Sequence, residues 1–215
     1  MTIEEAIKQP NLSGQPIWIQ GAKRADLPKF FKGRGFKKGV EIGVAWGQNI
    51  VDYCKEGFEI YGVDPWDAHT DEDEFRKLIH IDGKYGSTID GVHKLAEERT
   101  EKYPNCKLLK MTSIEALEQF PDRSLDFVYI DGNHSFGYVA MDLMKWTRKV
   151  KKGGAICGHD YYSHNPQTQR TYRGIRCIVD AYAKAYDFNT WYVLGGKEKQ
   201  EGEDNELSFL FLKHW

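Results

Sequence analysis

The chain has 215 residues, 40% of them hydrophobic and 29% charged, which is long enough and apolar enough to bury a sizeable core. This composition excludes a chain that is disordered throughout. Thirty Lys and Arg residues against 32 Asp and Glu leave a formal charge of −2, which offers no basic surface for a nucleic-acid backbone. The length predicts a single domain over residues 1–215 rather than two independent enzymes.

Cysteine spacing and the apolar runs indicate where such a protein works. The four cysteines form no Cys-x-x-Cys pair that would suggest zinc, and they are expected to be free thiols, as in a reducing compartment. No apolar run approaches the roughly 18–20 residues of a membrane span, and the first residues carry acids where a signal peptide would be apolar. The sequence therefore predicts a cytoplasmic protein, with neither a membrane nor a nucleic acid among its partners.

Short apolar runs alternate with amphipathic stretches through most of the chain. The predicted strands are 39–42, 58–63, 107–111, 124–130 and 153–157, and the predicted helices are 49–55, 114–120, a stretch through Tyr138 and Trp146, and about 172–186. This alternation predicts an α/β fold, a Rossmann-like, doubly wound, mostly parallel sheet with helices on both faces. Ligands on such a sheet bind at the carboxyl ends of the strands.

Three further segments complete the predicted domain. Runs 190–194 and 207–212 flank the polar segment 197–206 and predict a hairpin that ends a seven-stranded sheet, with 207–212 as its antiparallel last strand. Residues 1–36 fall outside the alternation and are expected to be an N-terminal cap or extension. Residues 67–94, rich in charge, are expected to be a variable, lid-like insertion.

The first predicted strand leads directly into a glycine turn of the pattern E-x-G-x-x-x-G. Glycines at a strand-to-helix turn let a ligand approach the backbone, and the helix N-terminus receives polar groups. The spacing differs from the G-x-G-x-x-G dinucleotide pattern, which argues against nicotinamide. The residues expected to line this cofactor cradle are Glu41, Gly43, Val44, Ala45 and Gly47.

Asp64 ends the second predicted strand, where a carboxylate can accept hydrogen bonds from two ribose hydroxyls. The ligand is therefore expected to be a nucleoside. The alternative is structural, with the glycines serving a tight turn and Asp64 capping a helix.

These residues resemble the motifs of class I S-adenosylmethionine-dependent methyltransferases. The resemblance implies that Thr112 and Ser113, in the turn after the third strand, contact adenine, although Ser113 is equally suited to be the N-cap of the next helix. Trp66 is expected to stack on adenine, and its alternative is a place in the core.

Two later segments make the resemblance more specific. Asp131-Gly-Asn-His134 and the stretch Gly153-Gly-x-x-x-Gly-His159-Asp160-Tyr resemble the methyltransferase family 24 subgroup, which shares its architecture with catechol-type O-methyltransferases. The resemblance covers about residues 24 to 185. It implies that S-adenosyl-L-methionine is the cofactor, and by position it makes Asp131, His159 and Asp160 the ligands of a divalent metal.

A hard cation such as Mg²⁺ would hold two substrate oxygens and lower the pKa of the hydroxyl that attacks the methyl group. His159 replaces an aspartate of the metal-dependent relatives, and imidazole suits Mg²⁺ poorly. Three alternatives stay open: a borderline metal such as Mn²⁺, fewer protein ligands, or no metal. His134, expected on the opening turn of the next helix, suits a general base because imidazole titrates near neutral pH. Asp131 and His134 are the catalytic candidates, and Asp131 also borders the predicted cofactor site.

The sequence thus predicts methyl transfer from S-adenosylmethionine to a hydroxyl of a small molecule. The alternatives are an NAD(P)-dependent Rossmann oxidoreductase and a cofactor-binding protein without turnover. The expected partners are a small-molecule acceptor and, in a homo-oligomer, further copies of the chain.

Overall fold

The computed structural model of the chain describes residues 1–9, 13–67 and 88–215, and an eight-stranded sheet forms its centre. In chain order the strands are β1 (Ile17–Ile19), β2 (Lys38–Ile42), β3 (Glu59–Asp64), β4 (Cys106–Lys110), β5 (Leu125–Ile130), β6 (Val150–Ser163), β7 (Tyr192–Leu194) and β8 (Glu206–Leu212). Across the sheet their order is β1-β7-β8-β6-β5-β2-β3-β4.

Helices cover both faces of this sheet. In the described part of the chain they are α1 (Ile3–Ala6), α2 (Leu27–Gly33), α3 (Gln48–Lys55), α4 (Ile89–Thr100), α5 (Ser113–Ala116), α6 (Phe136–Lys149) and α7 (Pro166–Ala185). Trp146 and Phe211 lie in the core of one face, and Phe31, Tyr53 and Phe127 lie in the core of the other. This arrangement confirms the predicted doubly wound α/β fold. None of the helices described is both long and apolar enough to cross a membrane.

The pairing confirms a mostly parallel sheet with an antiparallel last strand. Strands β2 to β6 pair in parallel, and β8 runs antiparallel to both β6 and β7. The predicted number of seven strands is wrong, because β1 adds an eighth, parallel to β7. Consequently the hairpin does not end the sheet: β8 lies inside it and β1 forms the edge. Three residues directly after a proline give too short a pattern to predict a strand.

The N-terminal extension is attached to the C-terminal hairpin. Glu203, which is buried, accepts hydrogen bonds from the side chain of Gln20 and the backbone N–H of Gly21. Asp204 accepts one from the backbone N–H of Arg24 at 2.8 Å. The polar segment predicted as a hairpin tip therefore fixes the chain just before α2. Of the insertion predicted over residues 67–94, the structure describes only residue 67 and residues 88–94. Ile89 is the first residue of α4.

Candidate active site

The carboxyl end of β2 turns sharply at Gly43, whose backbone is left-handed with φ of +84°. Its N–H donates to the carbonyl of Val63 at 2.8 Å, and a Cβ atom at this position would overlap the carbonyl of Asp131. Gly47, with φ of +78°, is the N-cap of α3. Both positions favour glycine because a side chain is strained in this backbone region. The predicted glycine turn is therefore present, and it brings the ends of β2 and β5 into contact.

Asp64, the last residue of β3, holds this turn from the other side. Its Oδ2 accepts hydrogen bonds from the N–H groups of Val44 at 3.0 Å and Ala45 at 2.9 Å, and its Oδ1 accepts one from Trp66 at 2.8 Å. Burial raises the pKa of Asp64, and these three donors oppose the rise. Asp64 thus lies at the expected end of its strand and shapes the cradle, while ribose binding by Asp64 stays a prediction.

Trp66 belongs to the core. Its side chain is 2% exposed, its Nε1–H donates to the carbonyl of Ala45 at 2.8 Å, and its ring lies 4.2 Å from the ring of His93. The core alternative therefore fits the structure, and stacking of Trp66 on adenine stays a prediction. The indole hydrogen bond helps to fix the backbone of the cradle.

The turn after β4 shows whether Ser113 is the N-cap of the next helix. Thr112 is the N-cap of α5, because its Oγ1 accepts from the N–H of Glu115 at 3.3 Å. Ser113 instead donates its hydroxyl to Asp142 and accepts from Trp146 Nε1 at 2.8 Å. The N-cap interpretation of Ser113 is therefore wrong, and contact of Thr112 and Ser113 with adenine stays a prediction.

Burial raises the pKa of Asp142 from 3.8 to about 6, against the hydrogen bond from Ser113. Between pH 3.8 and about pH 6, Asp142 is deprotonated in the unfolded chain but still protonated in the folded chain. The free energy of unfolding therefore falls as the pH rises through this window. We expect Asp142→Asn to be more stable than the native protein by about 2 to 3 kcal/mol at pH 8. Near pH 4 the two proteins should unfold alike. Urea unfolding at both pH values checks this, and an equal difference at both would contradict it.

Four titratable side chains meet where β5 ends, beside residues 159–160 of β6. The buried Asp160 lies at their centre, with Oδ2 3.0 Å from His134 Nε2 and Oδ1 3.4 Å from His159 Nδ1. Asp131 Oδ1 lies 3.8 Å from His134 Nε2 and 3.7 Å from His159 Nδ1. The structure thus brings together the predicted catalytic residues and the predicted metal ligands.

The charges in this cluster depend on one another. Burial works to raise the pKa of Asp160, but His159 and His134 outweigh it and hold that pKa well below its ordinary value. Burial works to lower the pKa of His159, but the carboxylates of Asp131 and Asp160 outweigh it and raise that pKa. Asp160 is therefore a carboxylate at neutral pH.

A distortion in β6 positions the side chains of His159 and Asp160. Asp160 has φ of +58°, and the pairing of β6 with β8 shifts register between Gly158 and Tyr162. A bulge of this kind redirects side chains, and left-handed backbone at a residue other than glycine costs on the order of 1 kcal/mol or more. His134 is not on a helix as predicted, since α6 begins at Phe136. It lies in the preceding loop, two residues before the helix.

The ligand atoms of Asp131, His134 and Asp160 all lie within 4.8 Å of one another, close enough to bind one divalent cation. The set predicted from sequence was Asp131, His159 and Asp160. In the structure His134 completes the compact trio, while metal binding by His159 stays a prediction.

Arg24 is the site residue that the sequence did not reveal. Its Nη1 lies 3.3 Å from Asp131 Oδ2. Burial alone would lower the pKa of Arg24, but Tyr129 and Asp131 raise it, so the guanidinium stays charged. No local motif marks a single arginine in the N-terminal extension. Its place is decided by contacts with Asp204, which is distant in sequence.

Glu41 lies at the base of a cleft of about 310 Å³. Its side chain is buried, and Oε1 accepts a hydrogen bond from Asn49 Nδ2 at 2.9 Å. Among the described residues Oε2 has no partner, and burial raises the pKa of Glu41 to about 8. The cleft is lined by Arg24, Glu41, Gly43, Val44, Ala45, Trp46, Gln48, Asn49, Asp131, His159, Asp160, Tyr172 and Glu206.

Residues 40–161, more than half of the chain, match a family profile described as a methyltransferase domain, methyltransferase family 24. The chain belongs to this family of class I S-adenosylmethionine-dependent methyltransferases. The match contains the glycine turn, Asp64 and the cluster from Asp131 to Asp160, and it leaves out Arg24. It confirms the resemblance identified in the sequence.

Full-length relatives and solved structures extend this comparison. The uncharacterized protein y4gI of Sinorhizobium fredii is 25% identical over 173 residues, which are 76% of this chain and 18% of that protein. The chain thus spans less than a fifth of the length of that relative.

Two solved structures share the fold. An O-methyltransferase from Bacillus cereus in complex with S-adenosylhomocysteine has a TM-score of 0.54 and 13% identity, over 98% of this chain and 87% of that one. The N-methyltransferase NodS from Bradyrhizobium japonicum has a TM-score of 0.55 and 11% identity, over 89% and 95%. Because one fold serves oxygen and nitrogen acceptors, the acceptor must be argued from the site.

Proposed function

We propose that the protein transfers the methyl group of S-adenosylmethionine to a hydroxyl of a small molecule, with His134 as the base. The observation that carries this proposal is the 3.0 Å distance between His134 Nε2 and the buried carboxylate of Asp160, at the edge of the cleft. A hydroxyl has a pKa far above neutrality, so it depends on a base in the transition state more than a neutral amine does.

The cleft suits a nucleoside cofactor with an amino-acid end. When bound, S-adenosylmethionine supplies an electrophilic methyl group on a sulfonium. The unpartnered Oε2 of Glu41 is an acceptor for an ammonium group, and a carboxylate that gains such a partner stays ionised despite burial. Gly43 lines the cleft beside it, so no side chain covers the backbone at this position. The position of Asp64 at the end of β3 supports ribose binding.

His134 and Asp160 act as a pair in this proposal. His134 Nε2 lies 3.0 Å from Asp160 Oδ2, and in this proposal the imidazole accepts the hydroxyl proton. The Asp160 carboxylate orients the ring and stabilises the imidazolium that forms. Arg24 pairs with Asp131 and supplies positive charge at the same end of the cleft.

The compact trio of Asp131, His134 and Asp160 favours a second candidate mechanism, in which these residues hold a divalent cation. Such a cation would act as a Lewis acid that lowers the pKa of the acceptor hydroxyl. Two observations favour the base: both oxygens of Asp160 face imidazoles, and Arg24 already pairs with Asp131.

Calorimetric titration of S-adenosylhomocysteine into the native protein and into Glu41→Gln tests the cofactor site. The product keeps the ammonium group, so loss of the carboxylate charge should weaken binding by about tenfold to a hundredfold. Asn49 keeps a hydrogen-bond partner in this variant, which preserves the local packing. The exposed Glu118→Gln is the matched control and should bind as the native protein does.

The outcomes separate the rival functions. If the native protein binds NADH and not S-adenosylhomocysteine, the methyltransferase proposal fails in favour of an oxidoreductase. If the cofactor product binds but no hydroxyl compound of a broad screen is methylated, a cofactor-binding protein without turnover is favoured.

A further inference from the structure

A second cavity, of about 470 Å³, lies along helix α7. Arg170, Arg173 and Arg176 line it together, and each is a neighbour of the next on the helix surface because they are three residues apart. Tyr161 and Tyr172 contribute aromatic surface. The cavity is therefore strongly cationic. The proposed methyl transfer assigns no role to these arginines.

One of the three arginines is neutralised within the cavity. Arg176 Nε lies 3.8 Å from Asp180 Oδ2, and the same carboxylate accepts a hydrogen bond from the hydroxyl of Tyr161 at 2.8 Å. The guanidinium of Arg176 also lies 5.6 Å from the ring of Tyr161. Asp180 is the acid that lines the cavity, so its charge offsets Arg176 alone.

The other two arginines keep their charge uncompensated. Within the part of the chain that is described, neither Arg170 nor Arg173 has a carboxylate at ion-pair distance or a hydrogen-bond partner. Like charges at this helical spacing repel one another. Two guanidinium groups at the wall of one cavity offer the planar donors that carboxylate and phosphate oxygens accept.

The cationic cavity adjoins the catalytic cluster. Tyr172 lines both this cavity and the cofactor cleft, and its ring meets the ring of His134 edge-on at 5.2 Å. Tyr161, which follows Asp160 directly, forms the same wall. Tyr172 therefore connects the wall of this cavity with the proposed base.

We propose that this cavity binds an anionic group, a carboxylate or a phosphate, of the methyl acceptor. The assignment of the occupant as the acceptor rests on the proposed function. The substrates are then small hydroxyl compounds that also carry an oxyanion. A nucleic acid fits this site less well, because the chain has a formal charge of −2 and the cavity has the size of a small molecule.

Thermal unfolding of the full chain with saturating S-adenosylhomocysteine tests the proposal. Inorganic phosphate and acetate are titrated separately, with chloride keeping the ionic strength constant. Phosphate, acetate or both should stabilise the native protein saturably, and the double variant Arg170→Gln/Arg173→Gln should need at least about tenfold more anion. The charge-matched control is Lys145→Gln/Lys184→Gln, at exposed lysines that lie outside the cavity. It should respond as the native protein does.

The two anions distinguish a phosphate group from a carboxylate group on the acceptor. A response to phosphate alone assigns phosphorylated acceptors, and one to acetate alone assigns carboxylic acids. An equal response of all three proteins, or no saturable response of the native protein, overturns the proposal. Binding of S-adenosylhomocysteine, measured in parallel, should be unchanged in the double variant, which shows that it is folded. Loss of cofactor binding in the native protein with the anion response intact would instead overturn the proposed function.

Discussion

Replacement of His134 by alanine should slow methyl transfer by about a hundredfold to ten-thousandfold, which is the usual contribution of a general base. Binding of S-adenosylhomocysteine should change little, because His134 does not line the cleft that holds Glu41 and the glycine turn. The rate is measured as release of S-adenosylhomocysteine, with a hydroxyl acceptor that the native protein methylates in a screen. The exposed His214→Ala is the matched control and should keep the native rate.

Added imidazole distinguishes a base from a structural residue. A free imidazole can occupy the space left in His134→Ala and accept the hydroxyl proton, so it should restore part of the rate of this variant. It should not raise the rate of the native protein or of His214→Ala. If His134→Ala retains the native rate with every acceptor, His134 is not the base.

Chelation separates the two candidate mechanisms at the same side chains. With His134 as the base, EDTA should leave the native rate unchanged, and neither Mg²⁺ nor Mn²⁺ should raise it. With the cation mechanism, EDTA should reduce the native rate about as strongly as His134→Ala does, and the metal should restore it. Imidazole would then fail to rescue the variant, since it replaces a base but not a bound cation.

The sequence was sufficient to predict this cluster because of how parallel strands are arranged. Asp131 and the pair His159 and Asp160 each lie at or near the end of an apolar run, and the carboxyl ends of neighbouring parallel strands meet at one edge of the sheet. The resemblance to methyltransferase family 24 identified these residues. The strand pattern then explains why they meet. It could not predict the left-handed backbone at Asp160, because the bulge depends on pairing with β8, which lies far along the chain.

The failures of prediction concern contacts between distant parts of the chain. Strand β1 has only three residues, and its partner β7 begins at Tyr192. Arg24 reaches Asp131 because Glu203 and Asp204 hold the backbone before and at Arg24. Neither segment carries a local pattern that indicates the other. A single sequence therefore shows the strands that build the site and misses the segment that supplies its arginine.

Replacement of Gly43 by alanine should lower the free energy of unfolding by about 3 to 5 kcal/mol, at the upper end of what single substitutions do. The backbone φ of +84° is unfavourable for alanine, and the added Cβ would overlap the carbonyl of Asp131. That carbonyl cannot retreat easily. The N–H of Asp131 donates to Ile42 and the N–H of Gly43 donates to Val63, both at 2.8 Å, so strand pairing holds both sides of the contact.

Comparison with Gly57→Ala isolates the part of this stability loss that comes from overlap between the added Cβ and the carbonyl of Asp131. Gly57 has φ of +85°, but among the described residues nothing lies within 4 Å of a Cβ built there. Its replacement should therefore cost only the backbone strain, about 1 to 2 kcal/mol. Urea unfolding of both variants measures the difference, and equal losses would show that β2 and β5 do not meet at Gly43. Gly43→Ala should also weaken binding of S-adenosylhomocysteine, because separating these strand ends moves Asp131 away from the cradle, whereas Gly57→Ala should leave it unchanged.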